Sequence, residues 1–147
     1  MMMDAKRSFI VARVQWCAAE TQLAAVRRTV FVDEQRVPEA LEWDGRDAEC
    51  VHVLATALNG APIGSGRLLP NGHIGRMAVL KDWRGQGVGG ALLAALIAAA
   101  REAGHARAHL NAQVHALGFY ALSGFVAEGP VFDDAGIPHR AMTLELS

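Results

Sequence analysis

The sequence has little net charge and few cysteines, and it has no apolar run long enough to cross a membrane. Its 147 residues carry a formal net charge of −1, so no basic excess marks a nucleic-acid-binding surface. The two cysteines, Cys17 and Cys50, fit a reduced cytoplasmic protein, and no Cys/His spacing typical of a metal site appears. The longest apolar run, residues 88–100, is too short for a bilayer, and residues 1–7 lack the apolar centre of a signal peptide. These features predict a cytoplasmic protein without nucleic-acid, membrane or metal partners.

Hydrophobic residues make up 52% of the chain, which at 147 residues is enough for the core of one domain, predicted over residues 8–147. The spacing of apolar and turn residues predicts an α+β fold of order β-α-α-β-β-β-α-β-α-β-β. Strands are predicted over residues 8–15, 51–58, 63–69, 73–80, 106–112, 125–132 and 139–146, and helices over residues 17–32, 38–43, 88–103 and 114–123. Hairpins come before residue 84 and βα alternation comes after it, which predicts a central mixed sheet flanked by helices. The oligomeric state stays open, and a homodimer is compatible with the chain.

A glycine-rich stretch stands between a predicted strand and the most apolar predicted helix. It reads Arg84-Gly85-Gln86-Gly87-Val88-Gly89. The first amides of a helix lack intrahelical partners and lie at the positive end of the helix dipole, where they bind phosphate. The three glycines keep side chains off these amides, and Arg84 adds a positive charge. The stretch therefore predicts a pyrophosphate site on the amides of residues 86–89, with a ligand-free connection as the alternative interpretation.

Three kinds of phosphate loop compete for this stretch. A P-loop needs Gly-Lys-Ser/Thr after its first glycine, and no lysine follows these glycines. The dinucleotide fingerprint GxGxxG is present, but the next predicted strand, residues 106–112, has no acidic residue to bind a ribose. A third pattern, Arg/Gln-x-x-Gly-x-Gly/Ala after a strand, is filled by Arg84, Gly87 and Gly89.

This third pattern resembles the coenzyme A loop of the GNAT N-acetyltransferases. A second signature of that family, Asn-x-x-Ala-x-x-x-Tyr-x-x-x-Gly-Phe, is matched by Gln113, Ala116, Tyr120, Gly124 and Phe125, with Gln113 where Asn is usual. The resemblance covers nearly the whole chain and implies acetyl-CoA as cosubstrate, with its pantetheine arm paired to the backbone of the central strand. The residues implied to hold acetyl-CoA are Met77, Ala78, Val79, Arg84, Gly85, Gln86, Gly87, Val88, Gly89 and Gln113.

A narrower likeness relates the chain to the ElaA-like and YjcF-like branch of this family. It depends on residues near both ends of the chain: Arg27, Val30, Phe31, Val32, Glu34, Gln35, Pro38, Asp44, Asp47 and His52, then Asp134, Gly136, Ile137, Pro138, His139 and Met142. In the family fold these segments wall the acceptor groove.

Acyl transfer to an amine needs a neutral amine, a donor for the oxyanion and a proton for the departing thiolate. A backbone amide near Val79 is the natural oxyanion donor. The resemblance points to Tyr120 as the proton donor, because a phenol of pKa about 10 is protonated at neutral pH; packing alone is its alternative role. The base stays open among Glu34, His52, His73, His139 and a water relay.

Acceptor recognition is predicted to lie in residues 34–47. This segment holds five acidic residues, Glu34, Glu39, Glu42, Asp44 and Asp47, against two arginines, which leaves a local charge of −3. Such a rim would attract a cationic amine, and Glu34 is the residue predicted to hold it. Arg76 interrupts an apolar strand, where it either meets an acidic group of the acceptor or is a solvated cation.

Three functions are compatible with these patterns. The leading one is an acetyl-CoA-dependent N-acetyltransferase that acts by direct attack in a ternary complex on a small-molecule or peptide amine. The second is a non-catalytic acyl-CoA-binding sensor on the same fold. The third, a fragment of a nucleotide-binding oxidoreductase, is disfavoured because the acidic strand end is missing.

Overall fold

The computed structural model describes residues 8–146. The expectation about residues 1–7 and the last residue of the predicted domain, Ser147, lie outside the described residues. The strands are Phe9–Val14 (β1), Val51–Ala57 (β2), Pro62–Leu68 (β3), Ile74–Val79 (β4), Arg107–Gln113 (β5), Val126–Asp134 (β6) and Ile137–Glu145 (β7). The α-helices are Trp16–Arg27 (α1), Glu39–Glu42 (α2), Val88–Glu102 (α3) and Leu117–Ala121 (α4). The predicted order of strands and helices is confirmed.

The strands form two antiparallel sheets that meet at one point. One sheet has the order β1-β2-β3-β4 and the other β5-β7-β6. A single parallel bridge, between His73 and His109, connects them within residues 8–146. The predicted α+β class is confirmed. The sheet is mixed because this bridge is parallel whereas the strands within each of the two sheets pair antiparallel. Beyond it β4 and β5 separate, so the edge of β4 lines a cleft rather than pairing with β5.

A bulge in β4 accompanies the separation. The register between β3 and β4 shifts between Ser65 and Arg67, and Arg76 adopts a left-handed φ of 51° at this position. A bulge bends a strand and increases its twist. Gly66 of β3 makes room for it, because a Cβ there would lie 2.9 Å from the Met77 sulfur.

Helix α3 covers one face of the four-stranded sheet. Its buried side chains are Val88, Leu92, Leu93, Leu96, Ile97, Ala99 and Ala100, as its apolar sequence predicts. The helix ends at Glu102, and Gly104, with a φ of 85°, follows its C-cap residue Ala103. The amide of Gly104 donates to Arg101 at 3.0 Å and that of His105 to Ala100 at 3.1 Å, the pair of bonds that closes a Schellman cap.

The helix predicted over residues 17–32 is present, but its last five residues are not α-helical. The α-helix ends at Arg27, and residues Arg28–Glu34 form a π-helix, hereafter the π-segment. Its wider turns are marked by the bond from the Gln35 amide to the Val30 carbonyl, at 3.0 Å. Apolar periodicity predicts a helix but does not distinguish these hydrogen-bond patterns, and the π-segment carries β-branched residues that favour the α-helix little.

Candidate active site

A cleft of about 930 Å³ opens where β4 and β5 separate. Its walls are the π-segment, β4, the N-terminus of α3, the end of β5 and α4. It brings together nearly all predicted site residues: Glu34, Met77, Ala78, Val79, Arg84, Gly85, Gly87, Val88, Gly89, Gln113 and Tyr120. Gln86 belongs to the same loop but is not among the lining residues; its side chain donates to the Asp82 carbonyl at 3.0 Å.

The glycines of the loop have two different roles. Gly85 and Gly87 adopt left-handed φ values of 75° and 90°, and Gly87 is the N-cap of α3. The loop thereby turns into the helix with the first amides of α3 free of intrahelical partners, which suits a phosphate. Gly89 serves packing, because a Cβ there would approach the Phe119 ring to 3.2 Å. The residues present therefore fit a pyrophosphate, and Phe119 is a contributor that the sequence analysis missed.

Arg84 is held by Glu34 of the π-segment. Two hydrogen bonds of 2.6 and 2.8 Å join its terminal nitrogens to the two carboxylate oxygens, and its Nε donates to the Val79 carbonyl at 2.9 Å. The hydrogen bonds from Arg84 lower the pKa of Glu34 below its usual range. Glu34 is thus ionised and lines the cleft, with its charge already engaged by the loop.

The neighbouring residue ties the π-segment to the other sheet. The side-chain amides of Gln35 and Gln113 exchange hydrogen bonds of 3.2 and 2.9 Å. Glu34 and Gln35, hereafter the bridging pair, therefore connect the loop after β4 with the end of β5 across the cleft. Both partners of the bridging pair are residues that the resemblance assigns to the cofactor. Gln35 occurs in the branch motif of the sequence, but a reciprocal amide pair has no sequence signal.

Tyr120 lies on α4 and lines the cleft. Its ring meets Phe119 and Phe125 edge-on, with centroids 5.0 and 6.1 Å apart. Burial raises the pKa of Tyr120 to about 12. The phenol therefore keeps its proton at neutral pH, as a proton donor requires.

The candidate bases fall into different places. Glu34, His73 and His139 line the cleft, whereas His52 is not among its lining residues. His52 is buried, and its Nε2 lies 2.8 Å from the Asp47 carbonyl. Burial lowers the pKa of His52 and, with the neighbouring His109, that of His73 to about 4. Both imidazoles are therefore neutral at pH 7.

The expected acidic rim is wrong, because each of its five carboxylates has an arginine partner: Arg84 binds Glu34, Arg28 binds Glu39, and the other three belong to an ion network. Arg27 contacts Glu42 at 2.8 Å and Asp47 at 2.6 Å. Arg67 contacts Asp47 at 2.9 Å and also binds Asp44, and hydrogen bonds from Arg67 lower the pKa of Asp44. Arg76 lies 3.1 Å from Glu42 and 3.5 Å from Asp44. Three arginines thus balance three carboxylates, because residues distant in sequence supply the cations that local charge counting leaves out.

Arg76 joins this network at the wall of the cleft. It is half-buried, and its Nη2 donates to the Glu42 carbonyl at 3.2 Å. Burial lowers the pKa of Arg76 below its usual range. Neither expectation for Arg76 describes these contacts, since the acids it meets belong to its own chain.

The remaining features of the described residues concern membrane-spanning helices, metal-binding groups and the two cysteines. No helix within residues 8–146 is long and apolar enough to span a membrane. Across the same residues, no group of three His, Cys, Asp or Glu side chains is placed to hold a metal ion. Cys17 and Cys50 are both free thiols.

The family of the chain follows from comparison with known proteins. The acetyltransferase (GNAT) domain matches residues 17–146, so the chain belongs to the GNAT acetyltransferase family. It is 40% identical over 121 residues to the uncharacterized N-acetyltransferase YjcF of Bacillus subtilis, a match that covers 80% of this chain and 86% of YjcF. The resemblance drawn from the two sequence signatures is thereby confirmed.

Solved structures agree with this assignment. Escherichia coli ElaA superimposes with a TM-score of 0.83 at 26% identity, covering 94% of this chain and all of ElaA. An acyl-CoA N-acyltransferase from Pseudomonas aeruginosa superimposes with a TM-score of 0.82 at 30% identity, covering 92% of this chain and 99% of that structure. The fold is therefore that of acyl-CoA-dependent acyltransferases.

Proposed function

We propose that this protein is an acetyl-CoA-dependent N-acetyltransferase that acetylates a primary amine by direct attack in a ternary complex. The observation that carries the proposal is the convergence of the loop amides, the open edge of β4 and Tyr120 on one cleft. Residues 8–147 would act as one domain. The amine belongs to a small molecule or a peptide, and the setting is the cytoplasm.

Binding of acetyl-CoA would use backbone more than side chains. The pyrophosphate would lie on the amides of residues 86–89, and the pantetheine arm would pair with Met77, Ala78 and Val79 as an added strand. Arg84 and Gln113 would complete the site after exchanging their bonds with the bridging pair for bonds to the cofactor. This arrangement leaves the side of the cleft near Arg76 and His139 for the acceptor.

The chemistry would use few protein groups. The amine must be neutral to attack, and a backbone amide near Val79 would stabilise the oxyanion. Tyr120 would protonate the departing thiolate. Glu34 would hold the acceptor ammonium once cofactor phosphates have drawn Arg84 away from it.

A matched pair of glycine variants tests the position of the cofactor. Gly87→Ala places a methyl group at the N-cap, where a φ of 90° disfavours any side chain. Gly60→Ala is the control, because Gly60 has nearly the same φ, 87°, and lies between β2 and β3, outside the residues that line the cleft. In calorimetry we expect Gly87→Ala to weaken acetyl-CoA binding by about tenfold or more, or about 1.4 kcal/mol, and Gly60→Ala to bind as the parent does. Equal affinities would contradict the loop assignment.

A screen separates catalysis from sensing. Release of free thiol from acetyl-CoA is measured with a panel of monoamines, polyamines, amino acids and peptides, next to calorimetric binding of acetyl-CoA. Amine-dependent thiol release with an acetylated product supports the transferase. Tight binding without turnover of any amine would favour the acyl-CoA sensor instead.

A further inference from the structure

A pair of histidines stands at the point where the two sheets meet. Nδ1 of His73 lies 3.0 Å from Nδ1 of His109, and the ring centroids are 4.8 Å apart. The turn before β4 fixes the pair: the His109 amide donates to the Gly72 carbonyl at 3.1 Å. Gly72 has a φ of 89°, and a Cβ there would lie 3.0 Å from the Arg107 carbonyl oxygen, so only glycine lets the turn approach β5 this closely.

The hydrogen bonds fix the tautomers of the neutral pair. Nε2 of His109 lies 3.3 Å from the carbonyl oxygen of Asn71. A carbonyl only accepts, so this nitrogen carries the hydrogen and Nδ1 of neutral His109 keeps its lone pair. Nδ1 of His73 must then donate to it, which leaves Nε2 of His73 without a hydrogen.

The free lone pair of His73 lies on the side of the cleft. His73 lines the cleft, as does Gly75 two residues further along the chain. A Cβ on Gly75 would lie 3.7 Å from Cδ2 and 3.8 Å from Nε2 of His73, so the glycine leaves this edge of the ring uncovered. An acceptor in this part of the cleft can reach a basic nitrogen that no other protein group occupies among the described contacts of His73.

The charged groups around the pair disfavour an imidazolium at His73. Burial lowers the pKa of His73 most. The positive charges of His109, Arg67 of β3, Arg76 of β4 and Arg46 of the loop after α2 lower it further. His105 lies beside the same turn, close to Gly72. Asp44 of the ion network is already bound by Arg67. The imidazolium form of His73 is therefore unfavourable, so His73 readily passes on a proton that it accepts.

We propose that His73 is the proton acceptor for the attacking amine and that His109 receives the charge. As the amine nitrogen bonds to the thioester carbon, its N–H proton passes to Nε2 of His73, and the hydrogen on Nδ1 of His73 passes to Nδ1 of His109. The electron pair of the N–H bond stays on the amide nitrogen, and the thiolate leaves with the pair of the C–S bond. His73 stays neutral, and the Asn71 carbonyl supports the His109 imidazolium. After product release the shift reverses, and Nε2 of His73 gives its proton to water.

Nitrogen NMR tests the arrangement without any turnover. In the ¹⁵N-labelled protein at pH 7 we expect His73 as the Nδ1–H tautomer and His109 as the Nε2–H tautomer. His109→Phe keeps a ring but removes the acceptor, so His73 should change to the Nε2–H form that is more common in solution. An Nε2–H tautomer of His73 in the parent protein would overturn the proposal.

The catalytic step rests on the proposed function and is tested with an amine from the thiol-release screen. His73→Ala should lower kcat by about 10²–10⁴-fold with an unchanged Kd for acetyl-CoA. Added imidazole should restore turnover, whereas pyrazole, a much weaker base of the same size, should not. His105→Gln is the control and should keep the parental kcat.

The results of these experiments distinguish a failure of the proposed function from a failure of the proton-acceptor role of His73. If no amine is turned over by the parent protein, the proposed function fails, and with it the catalytic role, while the tautomer measurement still reports on the pair. If the parent protein turns over an amine and folded His73→Ala keeps its kcat within about twofold, the proton acceptor is another group. Equal rescue by imidazole and pyrazole would show that the ring only fills space, and it would also overturn the proposal.

Discussion

The guanidinium of Arg27 lies between two indole rings and two carboxylates in the interior of the protein. It is 1% exposed, and its Cζ lies 5.7 Å from the Trp16 ring centroid and 4.9 Å from that of Trp43. Burial of a charge is costly unless every partner is in place, and here Glu42 and Asp47 supply the opposite charges. The two tryptophans therefore shield an ion pair, a role that their apolar character alone does not predict.

Removal of this guanidinium should destabilise the protein strongly. Arg27→Met removes one of the two arginines that contact each of Glu42 and Asp47, so three carboxylates of the network face two cations. We expect the free energy of unfolding to fall by about 3–5 kcal/mol in urea titrations, because part of the buried negative charge loses its compensation. Arg13→Met is the matched control, because the Arg13–Glu102 pair is exposed to solvent and contributes little to stability. Similar losses in both variants would show that the buried network contributes no more than a surface pair.

Tyr120 is the residue for which chemistry and packing are easiest to separate. Tyr120→Phe keeps the edge contacts with Phe119 and Phe125 and deletes only the hydroxyl. If this hydroxyl protonates the thiolate, kcat should fall by about 10²–10⁴-fold while the Kd of acetyl-CoA stays unchanged. Steady-state and single-turnover kinetics measure the effect. Unchanged single-turnover rates would reduce Tyr120 to a packing residue.

At the scale of elements, the end of the π-segment links the two sheets across the cleft, away from the His73–His109 bridge. Its last residue, Glu34, binds the loop after β4, and the following residue, Gln35, binds the end of β5. Widened helical turns recur at functional sites, and here the widening coincides with these two anchors. Cofactor binding that draws away Arg84 or Gln113 must therefore change how this segment is held.

Glu34→Gln distinguishes recognition of the acceptor from support of Arg84. The amide keeps the size of the side chain but removes the charge that would hold an ammonium. We expect the KM of the amine to rise several-fold and the Kd of acetyl-CoA to fall, because Arg84 no longer has to leave a carboxylate to reach the cofactor. Gln35→Ala is the comparison variant, because it removes only the uncharged contact between Gln35 and Gln113. A change in acetyl-CoA affinity alone would assign Glu34 to positioning Arg84.

Sequence patterns predict the elements of this fold better than the contacts between them. The glycine loop, the apolar α3 and its stop at Gly104 are local features, because each depends on residues close together in the chain. The π-segment and the bridging pair depend on partners about 50 to 80 residues away, at Arg84 and Gln113. The sequence does not predict the ion network for the same reason, because Arg67 and Arg76 reach the acidic segment from strands β3 and β4.

At the scale of the whole molecule, the junction of the two sheets holds a neutral imidazole that the unfolded chain would protonate. The pKa of His73 falls to about 4 in the folded protein, against about 6.5 for a free histidine. Between these values the unfolded state binds a proton that the folded state does not. The neutral His73 therefore does not weaken the fold above pH 6.5, whereas the free energy of unfolding decreases as the pH falls towards 4.

The free energy of unfolding should accordingly decrease from pH 6.5 to pH 4, with a slope of at most about 1.4 kcal/mol per pH unit from this one proton. His52, whose pKa burial also lowers, adds to the same decrease. His73→Phe should flatten the dependence in this window, because no proton remains to be taken up at that position. His105→Gln should leave the slope as it is in the parent protein, and urea titrations across the pH range measure all three proteins. If folded His73→Phe keeps the pH slope of the parent protein, the junction of the two sheets tolerates a charged His73. The folded protein would then have no energetic preference for the neutral ring that donates from Nδ1.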